Sequence, residues 1–346
     1  MFKRSVVLFF VYQIIVLHLF SQNTDWKVDY NYFFDNIEFA GSSYALPQTM
    51  SGMHVIPSLD IQLNNTQSIV TGVDVLMLSG SQKAIQSFIP VAFYQLKTDQ
   101  QKLMIGSFPR SASISNYNDF MFRDSINYFR PNLQGIYWNL GNTDKFFNVW
   151  LDWTGSQSAT QRETFFIGAS GRADFLTNFF VDFQSYLFHF AKTRPSLPDQ
   201  YLCDNAQAIF NAGYSSNKFI GNNKLLLSVG FFSGFERERN IPDQTYIPIG
   251  FVAHLNLESN FFGIDSKYFA GRNKLKLYER YGSQLYWSNP LLQSNSYLEN
   301  KLYIRFLNNK YVQGKFEYRL HFCEGTMYHE QVLTLNASVD KLLFKK

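Results

Sequence analysis

Serine, histidine and carboxylate side chains are present in this chain, but nowhere at spacings that assemble a reaction centre along the sequence. No G-x-S-x-G, H-E-x-x-H, phosphate-loop or dinucleotide fingerprint occurs. Ser185 and His189 would share one face of a strand, yet four residues of strand hold them roughly 13 Å apart at ~3.3 Å each, too far for a nucleophile and its base. His189 instead groups with Tyr186 and Phe188 as part of an external aromatic girdle. His54, His254, His321 and His329 fall on separate segments without metal-ligand spacing. Cys203 and Cys323 are likewise too isolated for a metal motif; in an exported chain they could pair or stay separate thiols. The residues predict no enzyme, no metal and no cofactor.

The charges fall instead into stripes. From Tyr311 to Phe322, Val312, Gly314, Phe316, Tyr318, Leu320 and Phe322 share one face, while Gln313, Lys315, Glu317, Arg319 and His321 share the other. Val28, Tyr30, Tyr32 and Phe34 alternate in the same way with Lys27, Asp29, Asn31 and Asp35, and Phe147, Val149, Leu151 and Trp153 with Asn148, Asp152 and Thr154. A period of two is that of strands. Sixteen such segments can be placed, near 26–38, 50–63, 67–78, 85–97, 102–108, 133–140, 146–154, 163–171, 178–191, 204–214, 224–234, 247–258, 261–269, 297–307, 311–322 and 328–340. The charged faces group Asp60, Asp74, Asp152, Asp182, His254, Glu258, Asp265, Lys267, Arg305, Lys315, Glu317, Arg319 and His321 as residues lining a wet interior.

The start of the chain reads as an export signal: Lys3 and Arg4, an apolar run from Ser5 to Leu19, then Leu19-Phe20-Ser21 as a cleavage site before Gln22. No cysteine follows for lipid anchoring. The two domains expected are therefore a signal peptide over 1–21 and one unbroken unit over 22–346, since no Pro/Ser/Gly-rich linker or charge block divides it. The formal charge is only +4 before Lys3 and Arg4 are removed, which speaks against nucleic acid as a partner. Beyond the signal no stretch approaches the ~18 apolar residues of a helical span. With 36 Phe, 21 Tyr and 5 Trp, the apolar face is rich in aromatics suited to membrane interfaces. Strands cross a bilayer only as a closed barrel, because closure pairs every backbone N–H and C=O. The fold class expected is all-β: a transmembrane antiparallel up-and-down barrel of about 16 strands, with short periplasmic turns and long external loops. Most connections agree by parity, with two exceptions, the short odd-numbered Ser79–Lys83 and the longish even-numbered Ser215–Asn223. Asn64–Thr66, Thr98–Gln100, Gly141–Asp144, Ser259–Asn260 and Asn308–Lys310 are short and even-numbered; Gly41–Thr49, Pro109–Asn132, Thr193–Leu202, Phe235–Tyr246 and Ala270–Ser296 are long and odd-numbered.

With those features the chain resembles the porins of Gram-negative outer membranes, over its whole mature length and in architecture rather than in any motif. The resemblance implies an outer-membrane location, passive diffusion of small polar solutes, contact with outer-membrane lipid and association as a homotrimer. It also implies that the third external loop, Pro109–Asn132, folds into the lumen and narrows it, so that Arg110, Asp119, Arg123, Asp124 and Arg130 form a constriction. One departure is the terminal Phe344-Lys345-Lys346, where many such barrels end on an aromatic residue. An alternative reading is a plugged barrel that binds a protein partner through its loops. The connection Ala270–Ser296, with Leu275, Leu277, Tyr281, Tyr286, Trp287, Leu291 and Leu292, is too apolar for a solvated tip and suits that role. Hydrolysis of lipid or polysaccharide is the least supported class.

Overall fold

The computed structural model describes residues 23–345 except 222, 241 and 243, so the export segment and its cleavage point lie outside the described residues. The strands are β1 (Asn23–Glu38), β2 (Gln48–Gln62), β3 (Gln67–Leu78), β4 (Ser87–Lys97), β5 (Gln101–Pro109), β6 (Asn132–Gly141), β7 (Lys145–Gly155), β8 (Thr164–Phe175) and β9 (Phe179–Phe190). They continue as β10 (Leu202–Ser216), β11 (Lys224–Arg239), β12 (Gln244–Tyr246), β13 (Ile249–Glu258), β14 (Phe262–Arg272), β15 (Ser296–Asn308), β16 (Val312–Cys323) and β17 (Thr326–Lys345). Each pairs antiparallel with its sequence neighbour, and β1 pairs with both β2 and β17, which closes the sheet. The three-residue β12 extends only the top of β11, leaving sixteen wall strands, the number read from alternation.

The two faces separate as period two requires. On β16, Glu317, Arg319 and His321 are buried inside while Phe316 and Phe322 are exposed outside. Outward Phe147, Val149, Phe210, Val229, Phe231, Phe251 and Ile304 continue an apolar band around the wall. Tyr186 and Phe188 prove to be inward and buried, whereas His189, of opposite parity, is outward. The girdle expected of all three residues is therefore not formed, because neighbouring strand positions cannot share a face.

Connections alternate around the barrel. Several turns on one rim use a single device, an asparagine side chain accepting two backbone N–H groups. Asn64 Oδ1 accepts from Thr66 (2.9 Å) and Gln67 (3.0 Å), Asn142 from Asp144 and Lys145 (3.0 Å each), and Asn309 from Tyr311 and Val312 (2.9 Å each). This is the periplasmic rim by the rule that short turns face the cell interior. The opposite rim carries the long loops and one tight hairpin at Glu324-Gly325, whose φ angles of 50° and 83° match a primed turn, with glycine at the second central position.

The interior is filled rather than open. Loop 3 (residues 110–131), with the short helix α1 (Ser125–Phe129), and loop 7 (residues 273–295), with α2 (Tyr278–Leu285), enter the lumen. They pack with inward wall residues Phe108, Trp150, Phe166, Phe188, Phe232 and Phe269 into one apolar cluster. Gly168 makes room for this: a Cβ there would lie 2.2 Å from the Trp150 ring. Trp150 Nε1 in turn donates to Tyr117 Oη of loop 3 at 2.8 Å. Cys203 and Cys323 are both buried and unbridged.

Candidate functional site

Loop 3 is held by charge. Arg110 pairs with Asp152 of β7 in a buried ion pair, and Asp124 pairs with Arg319 of β16. Asp119 accepts from Lys267 Nζ of β14 at 2.7 Å and from Lys301 of β15. Burial alone would raise the Asp119 carboxyl, but the two ammonium groups hold it well below the usual carboxylate range. Loop 7 is held differently. Leu275, Leu277, Leu285, Tyr286, Trp287, Leu291 and Leu292 are buried, and the Glu236 carboxylate accepts from Leu275 N (2.7 Å), Lys276 N (2.8 Å) and Tyr286 Oη (2.6 Å). The loops meet where Arg123 donates from its backbone N to Trp287 O at 2.8 Å and from its guanidinium to Tyr286 O at 2.9 Å.

Between loop 1 (residues 39–47), loop 3 and loop 7 lies a cavity of about 640 Å³. Apolar groups line part of it, among them Ile37, Phe39, Leu46, Phe129 and Pro290, and its charged lining carries Asp35, Asp119, Asp124, Glu299, Lys301, Arg319 and Glu330. Arg319 organises that charged part, donating to Glu317, to Asp124 and to Glu330 at 3.0 Å. Asp35 differs from its neighbours. It is 1% exposed, faces inward from β1 diagonally opposite Glu330 of β17, and its Oδ1 has no hydrogen-bond partner. An unsatisfied buried carboxyl oxygen is costly and calls for a physical reason. His321 is not free to serve beside it, since Nδ1 contacts Tyr297 Oη at 2.7 Å and Nε2 contacts Glu330 Oε2 at 2.8 Å. His54 is similarly engaged by Asp74 (2.6 Å) and Tyr128 O (2.9 Å).

The residues expected to form a constriction all lie in loop 3 inside the barrel, but they do not converge on one opening. Arg110, Asp119 and Asp124 are spent on wall partners, while Arg123 and Arg130 meet backbone carbonyls of Tyr286 and Thr154. Of the residues read as lining, Asp182, His254 and Lys267 border a smaller cavity of about 310 Å³ on the other side of Asp119. Asp265 meets His254 at 2.9 Å, Glu258 meets Arg305 at 2.9 Å, and Lys315 pairs with Glu317. Asp60, Asp74 and Asp265 each keep one oxygen buried without a hydrogen-bond partner. Asp35, Glu299, Lys301 and Glu330 were not singled out from sequence. Alternation alone placed Asp35 on the interior face, but nothing local marks β1 and β17 as adjacent.

A family model described as lipid A 3′-O-deacylase-type matches residues 19–346. No curated protein matches the chain. Among solved structures, the loop L8 deletion mutant of OmpT from Vibrio cholerae is similar at a TM-score of 0.56 and 9% identity, covering 91% of this chain and 99% of that one. The anion-selective porin from Comamonas acidovorans gives 0.55 at 9% identity over 91% and 98%. Salmonella typhi OmpF, in complex with daunomycin, gives 0.53 at 11% over 92% and 98%. These likenesses establish the fold, an outer-membrane β-barrel of the Gram-negative kind. The family match overturns the expectation that the chain is not an enzyme. That expectation took the lack of contiguous motifs for a lack of chemistry, whereas barrel closure brings Asp35 and Glu330, from opposite ends of the chain, to one cavity.

Proposed function

The chain belongs to the lipid A 3′-O-deacylase-type family, and on that premise we propose that it is an outer-membrane hydrolase that removes an ester-linked acyl chain from an acylated glycolipid in the cavity between loops 1, 3 and 7. The observation that carries the reading is the unpartnered Oδ1 of buried Asp35 in a cavity lined by both apolar and charged groups. An amphipathic substrate needs both kinds, and about 640 Å³ suits a ligand site.

In this reading the water oxygen adds to the ester carbonyl carbon while the neighbouring carboxyls of Asp35 and Glu330 together take up its proton. Lys301 and Arg319 offset the negative charge that develops. The carbon–oxygen bond to the sugar then breaks, and the proton passes to the leaving sugar oxygen, giving a free fatty acid and a sugar hydroxyl. Purified protein should release fatty acid from lipid A, and Asp35→Asn should abolish release while leaving the heat-modifiable migration of the folded barrel unchanged. Undiminished release by the folded variant would remove Asp35 from the chemistry.

A passive channel is the second reading. It is favoured by the position of Asp119, which borders both the 640 Å³ cavity and the 310 Å³ cavity, so that its bridge to Lys267 and Lys301 separates two wet compartments. Single-channel recording decides it: steady conductance by the wild type supports a channel, and conductance gained only in Asp119→Ala supports a closed barrel.

A further inference from the structure

A second external cavity, about 630 Å³, adjoins the first and shares Arg123, Ser125, Phe129 and Ser283 with it. Its lining differs in one respect that electrostatics makes decisive. It includes three arginines, Arg123, Arg130 and Arg162, and no aspartate or glutamate. Elsewhere in the barrel, inward cations such as Arg110, Lys267, Lys301 and Arg319 have carboxylate partners. Among the described residues these three have none. Arg123 meets Ser125 Oγ (2.9 Å) and Tyr286 O (2.9 Å), Arg130 meets Thr154 O (2.9 Å), and Arg162 meets Ala191 O (3.2 Å) and Tyr201 O (3.0 Å). Arg130 also lies 5.2 Å from the Trp287 ring centroid, and Arg162 lies 4.4 Å from that of Phe190. Carbonyl oxygens and ring faces orient guanidinium groups without neutralising them. The rest of the lining is rich in neutral hydroxyl and amide side chains, Thr160, Gln161 and Gln284 among them, which can donate to an oxyanion.

We propose that this cavity is a phosphate subsite: Arg123, Arg130 and Arg162 receive a phosphate monoester borne by the glycolipid whose acyl ester occupies the neighbouring cavity. The assignment of that neighbour rests on the hydrolase reading; the anion preference rests on the unpaired arginines alone. Planar guanidinium groups match phosphate oxygens bidentately, and a dianion meets three positive charges with no carboxylate at ion-pair distance. Burial penalises each of the three guanidinium charges, and an anion relieves that cost.

The test uses the folded full-length barrel in detergent, with Trp287 emission as the binding signal and Trp287→Phe to assign it. Titrants are lipid A bearing two phosphates, lipid A bearing one, and inorganic phosphate against chloride. Arg130→Gln and Arg162→Gln should each weaken binding of one phosphorylated form by about tenfold, the scale of one charge-assisted contact. Removing the matching phosphate from the ligand should cost the wild type a similar factor and leave the variants without further loss. Arg162→Lys, which keeps the charge, should recover part of the affinity. A response to inorganic phosphate that Arg130→Gln abolishes marks a site open to the free anion; coupling seen only with lipid marks a headgroup site, and both support the proposal. Equal weakening of all lipid forms, or none, overturns it. Phosphate-dependent binding without fatty acid release keeps the subsite and ends the hydrolase reading; release with the same KM in wild type and both Gln variants does the reverse.

Discussion

Loops 3 and 7 fill the same lumen with different balances of charge and apolar burial. Loop 3 is keyed to the wall by the ion pairs Arg110–Asp152, Asp119–Lys267 and Asp124–Arg319. Loop 7 buries leucines and aromatics and is tied down by two carboxylates of β11: Glu236, which accepts three hydrogen bonds, and Glu238, which pairs with Arg280 and accepts from Tyr281 Oη. The difference is instructive because paired charges demand specific partners, whereas apolar burial demands only volume. Loop 3 therefore places its residues at defined points of the cavity, while loop 7 mainly fills volume beside that charge network.

The largest effect should come from removing the hub of the charged loop. Arg319→Ala leaves Glu317, Glu330 and Asp124 without their shared cation and should cost about 3–5 kcal/mol in urea unfolding from lipid vesicles. A loss no greater than that of an exposed ion pair would mean that loop 3 is not keyed by charge. On the apolar side, Leu291→Ala should cost about 2–5 kcal/mol, with the value set by how far the cluster collapses into the space. Its effect should not depend on pH, because no titratable group changes its environment.

Lys274 joins the two regimes. Its Nζ donates to Phe120 O of loop 3 at 3.1 Å and lies 4.3 Å from the Phe232 ring centroid, and burial pushes its pKa from 10.5 down to about 7 against the opposing pull of Glu236. The unfolded chain thus binds more protons than the folded one between those values, so the penalty is absent above pH 10.5, grows as pH falls, and is complete below about 7. Wild-type Tm should rise from pH 6 to pH 10 relative to Lys274→Met. Parallel pH profiles of the two proteins would show that the ammonium is not desolvated at the junction of the loops.

Much of the wall was legible because period two is a local signal: the segment read near 67–78 is β3 itself, and the interior stripe of β16 was read residue by residue. The site was less legible for a physical reason. Asp35 belongs to a readable stripe, but its partner strand lies at the far end of the chain, and only closure brings it diagonal to Glu330. Loop interiors have no period at all. The composition of Ala270–Ser296 announced that it would be buried, yet not against which wall. The charges of loop 3 announced an interior role, yet their division into paired and unpaired arginines depends on where Asp152 and the Thr154 carbonyl fall.

Mass spectrometry of lipid A from Gram-negative cells expressing wild type or Asp35→Asn at equal levels of folded barrel tests the central claim most directly. The account predicts lipid A lighter by one ester-linked acyl chain in cells with the wild type, and full-length lipid A with the variant. Unaltered lipid A in cells carrying folded wild-type protein would contradict it.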